Sequence, residues 1–376
     1  MSYRRGFALC VLALLAFSPQ VAAGKVKAEI YEATLEESFS AAADSKVTFE
    51  NLLGRIQVRP QPKGREVTIR ALVSAESSEK VEARDLVQAV RLVRQDVDGG
   101  VHWTVAFPDQ RLFRMPKTGV ASVYSKWLAP LVKRKTVSTR YDGRAVEIGN
   151  ARGATAVSVT LEIEVPMDLS LTAIQHVGTI DCQGVRGTVG LEVKQGEIQA
   201  GRVFGALRVT TEGASARIWG FNGERLDVET GSGTIELQEV RSTTLRIDSA
   251  RGIVHGTKVE ATDLSASTGS GSIELDGVES ERMNVTSDTG NLDLATELKK
   301  AREASIRSVT GDVTMRLGTF ASFQLEAISP KGAVKGSGVN VEVDQFEKTE
   351  ATLARGNGGP KLSVESESGQ ILIRPL

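Results

Sequence analysis

The sequence predicts an all-β protein whose larger part is a parallel β-solenoid, right-handed by the default of parallel crossovers. Three observations lead there. A unit of the form apolar-x-apolar-x-hydroxyl-x-x-Gly-x-apolar-x-apolar recurs through the C-terminal half of the chain. Its starts at Leu207, Leu226, Leu245, Leu264 and Met283 are each 19 residues apart, and a fixed period of this length marks a stacked repeat. Within each unit apolar residues alternate with polar ones, the period-2 signature of half-buried strands.

Counting the first apolar residue as position 0, LSASTGSGSIEL places Leu264 at 0, Thr268 at +4, Gly271 at +7, Ile273 at +9 and Leu275 at +11. LDVETGSGTIEL from Leu226, LRIDSARGIVHG from Leu245, MNVTSDTGNLDL from Met283, ASIRSVTGDVTM from Ala304 and LSVESESGQILI from Leu362 fit the same pattern. Looser copies start at Leu171 and Val189, one lies far upstream at Val47 (VTFENLLGRIQV), and a degenerate one starts at Phe323 with Pro330 in the glycine position. Apolar residues at 0, +2, +9 and +11 define two short strands, and the glycine at +7 is the turn between them, where positive φ favours that residue. Stacked copies align like strands about 4.8 Å apart. The hydroxyls at +4 then form a column, able to bond one another and the turn backbone. At +1, Arg208, Asp227 and Arg246 alternate in sign along the outer face.

Upstream of the repeats, residues 1–23 read as a signal peptide: Arg4 and Arg5, an apolar run from Phe7 to Phe17, and small residues at Val21-Ala22-Ala23. Residues 24–166 read as an N-terminal β region carrying one helix and one insert, and 167–376 as the solenoid. The helix is expected over about 76–96, where Leu86, Val90, Val93 and Val97 recur at helical spacing. The insert, about 109–150, is rich in Lys and Arg with interspersed aromatics. Lys126, Trp127, Lys133, Arg134 and Lys135 are its candidate contacts to an anionic surface such as lipid headgroups or acidic polysaccharide. A solvated excursion covering a solenoid end explains the same residues.

The matching pieces GRIQV (54–58), IEVP (163–166), ETGSGTIEL (229–237) and STGSGSIEL (267–275) resemble the bacterial β-strand-repeat domains that carry an adhesin label, a family of unknown function found in exported and membrane-anchored envelope proteins. The resemblance spans residues 45–376. It implies export to the periplasm or cell surface and a β-solenoid, and it supplies no catalytic residues.

Little in the sequence points to chemistry. The formal net charge of −1 argues against nucleic acid as a partner. Cys182 is the only cysteine after the signal peptide, which excludes an internal disulfide, and its repeat position suggests a small buried residue. His102, His176 and His255 share no repeat phase, which argues for surface or loop histidines and against a metal cluster. Ser232 and Ser270 sit between glycines but lack a nucleophile-elbow context. The best candidate for cation or sugar chemistry is the +10 column of Glu236, His255, Glu274 and Asp293, which is in register with the ordinary surface residues Arg217 and Thr314. The expected function is thus a non-enzymatic envelope scaffold or binding surface without cofactor or metal, whose partner is a polysaccharide, anionic lipid or protein. Alternatives are a carbohydrate-active enzyme on the same scaffold, and a membrane-surface or polymer-forming protein that stacks end to end.

Overall fold

The fold comes from a computed structural model, which describes residues 28–42, 45–61, 63–115, 136–149, 153–319, 321–336, 342–346, 348–356 and 358–376. The signal-peptide residues and the five candidate contacts of the insert, Lys126, Trp127, Lys133, Arg134 and Lys135, lie outside them. The chain forms two compact units, residues 1–197 and 198–376. Among the described residues there are 26 strands and one helix. No described helix is long and apolar enough to cross a membrane.

In the C-terminal unit the strands stack in parallel at the predicted register. Strand Ile235–Ser249 pairs with Val254–Thr268, and that with Ile273–Ser287, joining Leu245 to Leu264 and Leu264 to Met283. The apolar positions 0, +2, +9 and +11 are buried rung after rung, as at Leu264, Ala266, Ile273 and Leu275. Each rung also has a third straight run that the pattern did not reveal. The pairing skips Lys258 and Gly277 at position +13, where Gly220, Glu239, Lys258 and Gly277 all have φ between 54 and 66°. Beyond this corner Phe221, Val240, Val259 and Val278 enter the core. Glu and Lys at a left-handed corner carry no turn signature, since glycine is the ordinary occupant.

The glycines at +7 have a different reason from the one expected. Gly233, Gly252, Gly271, Gly290, Gly311 and Gly369 do not have positive φ. What excludes a side chain is the neighbouring rung: a Cβ on Gly252, Gly271 or Gly290 would stand 2.0, 1.8 or 1.7 Å from the preceding rung's glycine carbonyl oxygen. The +4 hydroxyls close the same turn. The amides of Gly252, Gly271 and Gly290 donate to Ser249, Thr268 and Ser287 Oγ at 2.8, 3.0 and 2.7 Å. Direct hydroxyl-to-hydroxyl bonding joins Thr211 to Thr230 at 2.7 Å; elsewhere the column bonds mainly to turn backbone.

The last rungs are out of sequence order. Strand Lys361–Ser366 lies between Glu303–Ser308 and Phe323–Ile328, pairing in parallel with both. Its register joins Leu362 to Leu325, not to Phe323. The degenerate copy therefore starts at Leu325, which puts Ser329 at +4, Gly332 at +7 and Val334 at +9, and Pro330 is no exception to the glycine rule. Gly332 has the same close approach, 2.1 Å from Gly369 O. Beyond Phe323–Ile328 the parallel stack ends: Glu350–Arg355 and then Glu342–Phe346 add antiparallel.

In the N-terminal unit the far upstream copy is the neighbour of the first one: Lys46–Gln61 runs parallel to Ser170–Gln183, pairing Val47 with Leu171, Gly54 with Gly178 and Val58 with Cys182. Here the +7 glycines Gly54, Gly178 and Gly196 combine close approach with φ of 134, 144 and 139°. The other edge of Lys46–Gln61 divides. Its first half takes Gly100–Ala106, followed by Arg91–Val97 antiparallel. Its second half takes Thr155–Pro166, then Glu66–Ser77 and Glu29–Ser40, both antiparallel.

The helix is shorter than expected, Lys80–Ala89. Its buried stripe is Ala83 and Val87, continued by Val90 beyond its end, while Val93 and Val97 are exposed in strand Arg91–Val97. The β-branched residues there find a ready partner in Gly100–Ala106, and pairing overrides the accidental helical spacing. The insert, read from the sequence as irregular, is ordered in its described parts. They form strands Leu112–Arg114, Val137–Tyr141 and Arg144–Ile148.

A candidate binding face

The outer face of the first strand run in the C-terminal unit carries a trough. Residues at −1, +1 and +3 of successive rungs point outward, flanking buried residues at 0 and +2. At +1 the side chains are small in the middle of the stack: Ser265, Asn284, Ser305 and Ser363 stand side by side in register. Longer residues at −1, namely Asp263, Arg282, Glu303 and Lys361, stand beside them, and Asp248 at +3 of the rung from Leu245 lines the same recess. A recess of about 600 Å³ spans the rungs from Leu245 to Ser305, and one of about 660 Å³ continues from Glu303 across Leu362 to Leu353. The two share Glu303 and Ser305. A smaller one of about 210 Å³ adjoins through Arg246 and Asp248.

Charges on these walls are largely paired with each other. Arg246 Nε lies 2.6 Å from Asp248 Oδ2, and Arg225 Nε lies 2.7 Å from Asp227 Oδ2. Arg282 pairs with Asp263 one rung back. Arg208, Asp227 and Arg246 are neighbours in register as expected, yet the short ion pairs of the latter two run along their own strands. Burial alone would raise the Asp248 carboxyl; hydrogen bonds from Ser267 and Arg246 outweigh it and hold the group below its ordinary value.

The +10 column lies on the second strand run and is also paired. Arg217 Nε meets Glu236 Oε2 at 2.7 Å, His255 Nδ1 meets Glu274 Oε2 at 3.1 Å, and Arg316 Nε meets Asp293 Oδ1 at 2.9 Å. No group of three or more His, Cys, Asp or Glu able to hold a metal occurs among the described residues. In the +10 column Glu236 and Asp293 are partners in cross-rung ion pairs with arginine and Glu274 is hydrogen-bonded to His255, which suits a solvated ladder.

A polar cluster in the N-terminal unit was not legible in the sequence. His176, expected at the surface or in a loop, is 4% exposed. Its Nε2 lies 2.9 Å from Glu50 Oε1, its Nδ1 2.7 Å from Thr139 Oγ1, and His102 Nε2 lies 3.1 Å from Glu50 Oε2. Lys194 Nζ donates to Thr139 Oγ1 at 3.1 Å. Glu50, as a carboxylate, accepts from His176 Nε2–H, and Thr139 Oγ1 accepts from Lys194 while also bonding His176 Nδ1. The hydrogen bond from His176 holds the Glu50 carboxyl below its usual value, against the opposing effect of burial. Hydroxyl, imidazole and carboxylate follow one another as in a nucleophilic triad, but the Thr139 hydroxyl is buried and already bonded to Lys194. The cluster fastens strand Val137–Tyr141, and with it the base of the insert, onto the rungs. Tyr141 stacks edge-on against His176 at 5.1 Å and donates to Val105 O at 2.6 Å. Sequence phase could not show this, because the partners come from five separate strands.

The described basic residues of the insert are mostly committed. Arg111 pairs with Glu147 at 3.4 Å, Arg114 with Glu76 at 3.0 Å and Arg144 with Asp109 at 2.6 Å. Phe113 and Tyr141 are buried. Cys182 is buried as expected, and burial pushes its thiol up to about 12.

Residues 158–374 match the family described as Toastrack DUF4097. A search of curated proteins finds no match. Three solved bacterial structures are similar at low identity. One, from Clostridium sporogenes and provisionally described as a cell adhesion protein, has 9% identity and a TM-score of 0.22, covering 91% of this chain and 99% of that one. One from Bacteroides fragilis, provisionally described as an adhesin, has 6% identity and a TM-score of 0.31, with 91% and 97% covered. One from Parabacteroides distasonis, provisionally described as a lipid binding protein, has 10% identity and a TM-score of 0.35, with 90% and 96% covered. With more than half of its residues matched, and the glycine-turn rungs lying in the matched segment, the chain belongs to the Toastrack DUF4097 family, whose function is unknown.

Proposed function

We propose that this protein is an exported, non-enzymatic component of the bacterial envelope that acts as an adhesin-like display surface or scaffold. The observation that carries this reading is the outer face of the C-terminal unit. Its acids and bases neutralise one another across and along the strands, while a continuous trough of small polar groups stays open. Catalysis of glycoside cleavage needs a carboxylic acid and a carboxylate facing one bond; here Glu236 and Asp293 are tied up in ion pairs with arginine and Glu274 in a hydrogen bond with His255. End-to-end stacking is disfavoured in the N-terminal unit, where the outer strand Glu29–Ser40 carries Glu29, Glu32, Glu36 and Glu37, a charged edge that resists strand addition. The leader-like residues 1–23 support export. The test is fractionation of a C-terminally tagged chain in a bacterial host. It should appear in the periplasmic or surface fraction, shortened by about the length of the leader. Retention of the full-length chain in the cytoplasm would overturn the proposal.

A further inference from the structure

We infer that the trough binds one extended chain of a neutral, hydroxyl-rich polysaccharide lying across the rungs; this rests on the display reading above and names its ligand class. Four observations point to that chemistry.

The floor asks for hydrogen bonds. Ser265, Asn284 and Ser305 are exposed and Ser363 is half-buried, and none of the four side chains bonds to another described residue. Hydroxyl and amide groups both donate and accept, as sugar hydroxyls do. Sites built to pair hydroxyls reject partners that lack them.

The floor is periodic. One such group is offered per rung, at about 4.8 Å steps set by the strand spacing. A polymer whose unit is close to that length can repeat one contact at each step. An extended peptide advances only about 3.3 Å per residue and drifts out of phase.

The walls leave no surplus positive charge for an anionic polymer. Arg282 is paired with Asp263, and Arg246 with Asp248. Lys361 faces Glu303 across the strand pair.

The trough exposes no large apolar side chain to hold a lipid chain. Met283, Leu325, Leu353 and Leu362 border it, but their side chains turn into the core and are 5% exposed or less. Its length suits a polymer, because the two larger recesses are continuous through Glu303 and Ser305.

The test is an array of immobilised neutral polysaccharides (β-glucans, dextran, galactomannan) beside anionic ones (alginate, polygalacturonate), probed at about 0.15 M salt, where long-range attraction is screened. The wild type is compared with the double variant Asn284→Arg/Ser305→Arg, which fills the floor. Glu274→Arg, on the other strand run, serves as control. All three are checked for folding by circular dichroism and urea midpoint. We expect binding to a neutral glycan that is insensitive to salt, falls roughly tenfold or more in the double variant and persists in the control. The inference fails if no neutral glycan binds, if the double variant binds as well as wild type, or if only anionic polymers bind and salt releases them. A blank array with the chain found in the envelope removes the glycan ligand and leaves the display reading standing. Glycan binding by a chain retained in the cytoplasm does the reverse.

Discussion

A Cβ on Gly271 would stand 1.8 Å from the carbonyl oxygen of Gly252, the equivalent glycine one rung earlier. The same contact recurs at Gly290 over Gly271 and at Gly311 over Gly290. These glycines are the points where successive turns touch backbone to backbone, so their role is space rather than φ.

Gly271→Ala should therefore cost roughly 3 kcal/mol, because the obstacle is backbone that cannot swing aside. Gly277, at the left-handed corner with φ of 66°, has no atom within 3.8 Å of its Cβ position. Gly277→Ala should cost only about 1 kcal/mol, from the conformation alone. Urea denaturation of the two variants separates the cases. Equal losses would mean that the close approach does not matter.

Thr268 accepts the Gly271 amide at 3.0 Å in a buried turn. Thr268→Val keeps the shape and strands that N–H, with an expected loss of about 1–3 kcal/mol. Thr268→Ser restores the acceptor and should recover most of it. A urea midpoint for the Val variant equal to that of the wild type would show that water or another group takes the amide.

Glu50 gives stability a pH dependence of known sign. Its folded-state value is lowered from 4.5, chiefly by the hydrogen bond from His176. The unfolded chain therefore binds the proton more readily, so the contribution is present above about pH 4.5 and is lost as pH falls through the folded value. Glu50→Gln should lower stability at pH 7 and flatten the acid limb of the stability curve. A variant with an unchanged acid limb would place the titration elsewhere.

Cys182 should be inert in the folded protein. Buried, with its thiol raised to about 12, it carries almost no thiolate at pH 8. A thiol reagent should label it only at the rate of unfolding, and prompt labelling under native conditions would contradict the burial.

The strand Lys361–Ser366 sits between two others that precede it in the chain. Deleting residues 358–376 should therefore do more than trim a terminal rung. Amides of Glu303–Ser308 and Val313–Leu317 should lose hydrogen-exchange protection, since both strands pair with the deleted segment. Continued protection would mean that the preceding rungs stand without it.

The parallel stack, its register and most of its core were legible because one short pattern repeats, and a repeat aligns itself: Leu245, Leu264 and Met283 meet as their spacing requires. The +4 hydroxyls and +7 glycines could be located for the same reason. The purpose of the glycines could not, since a close approach between rungs is invisible in one unit. The third run escaped notice because Glu239 and Lys258 occupy a corner where composition expects glycine. The start at Leu325 was missed because Phe323 is apolar in the same alternating phase, two residues early.

The candidate sites divide along the same line. The +1 and +10 columns could be read from the period, but not whether their charges would pair along a strand or across rungs, which depends on side-chain reach. The Glu50–His176–Thr139–Lys194 cluster, the place of Leu362 beside Leu325, and the recess over the +1 residues Ser265, Asn284, Ser305 and Ser363 came from tertiary structure alone. A repeat determines contacts at its own spacing, 19 residues here. Contacts between segments of unrelated phase, such as the 126 residues separating Glu50 from His176, depend on where the folded chain brings them together.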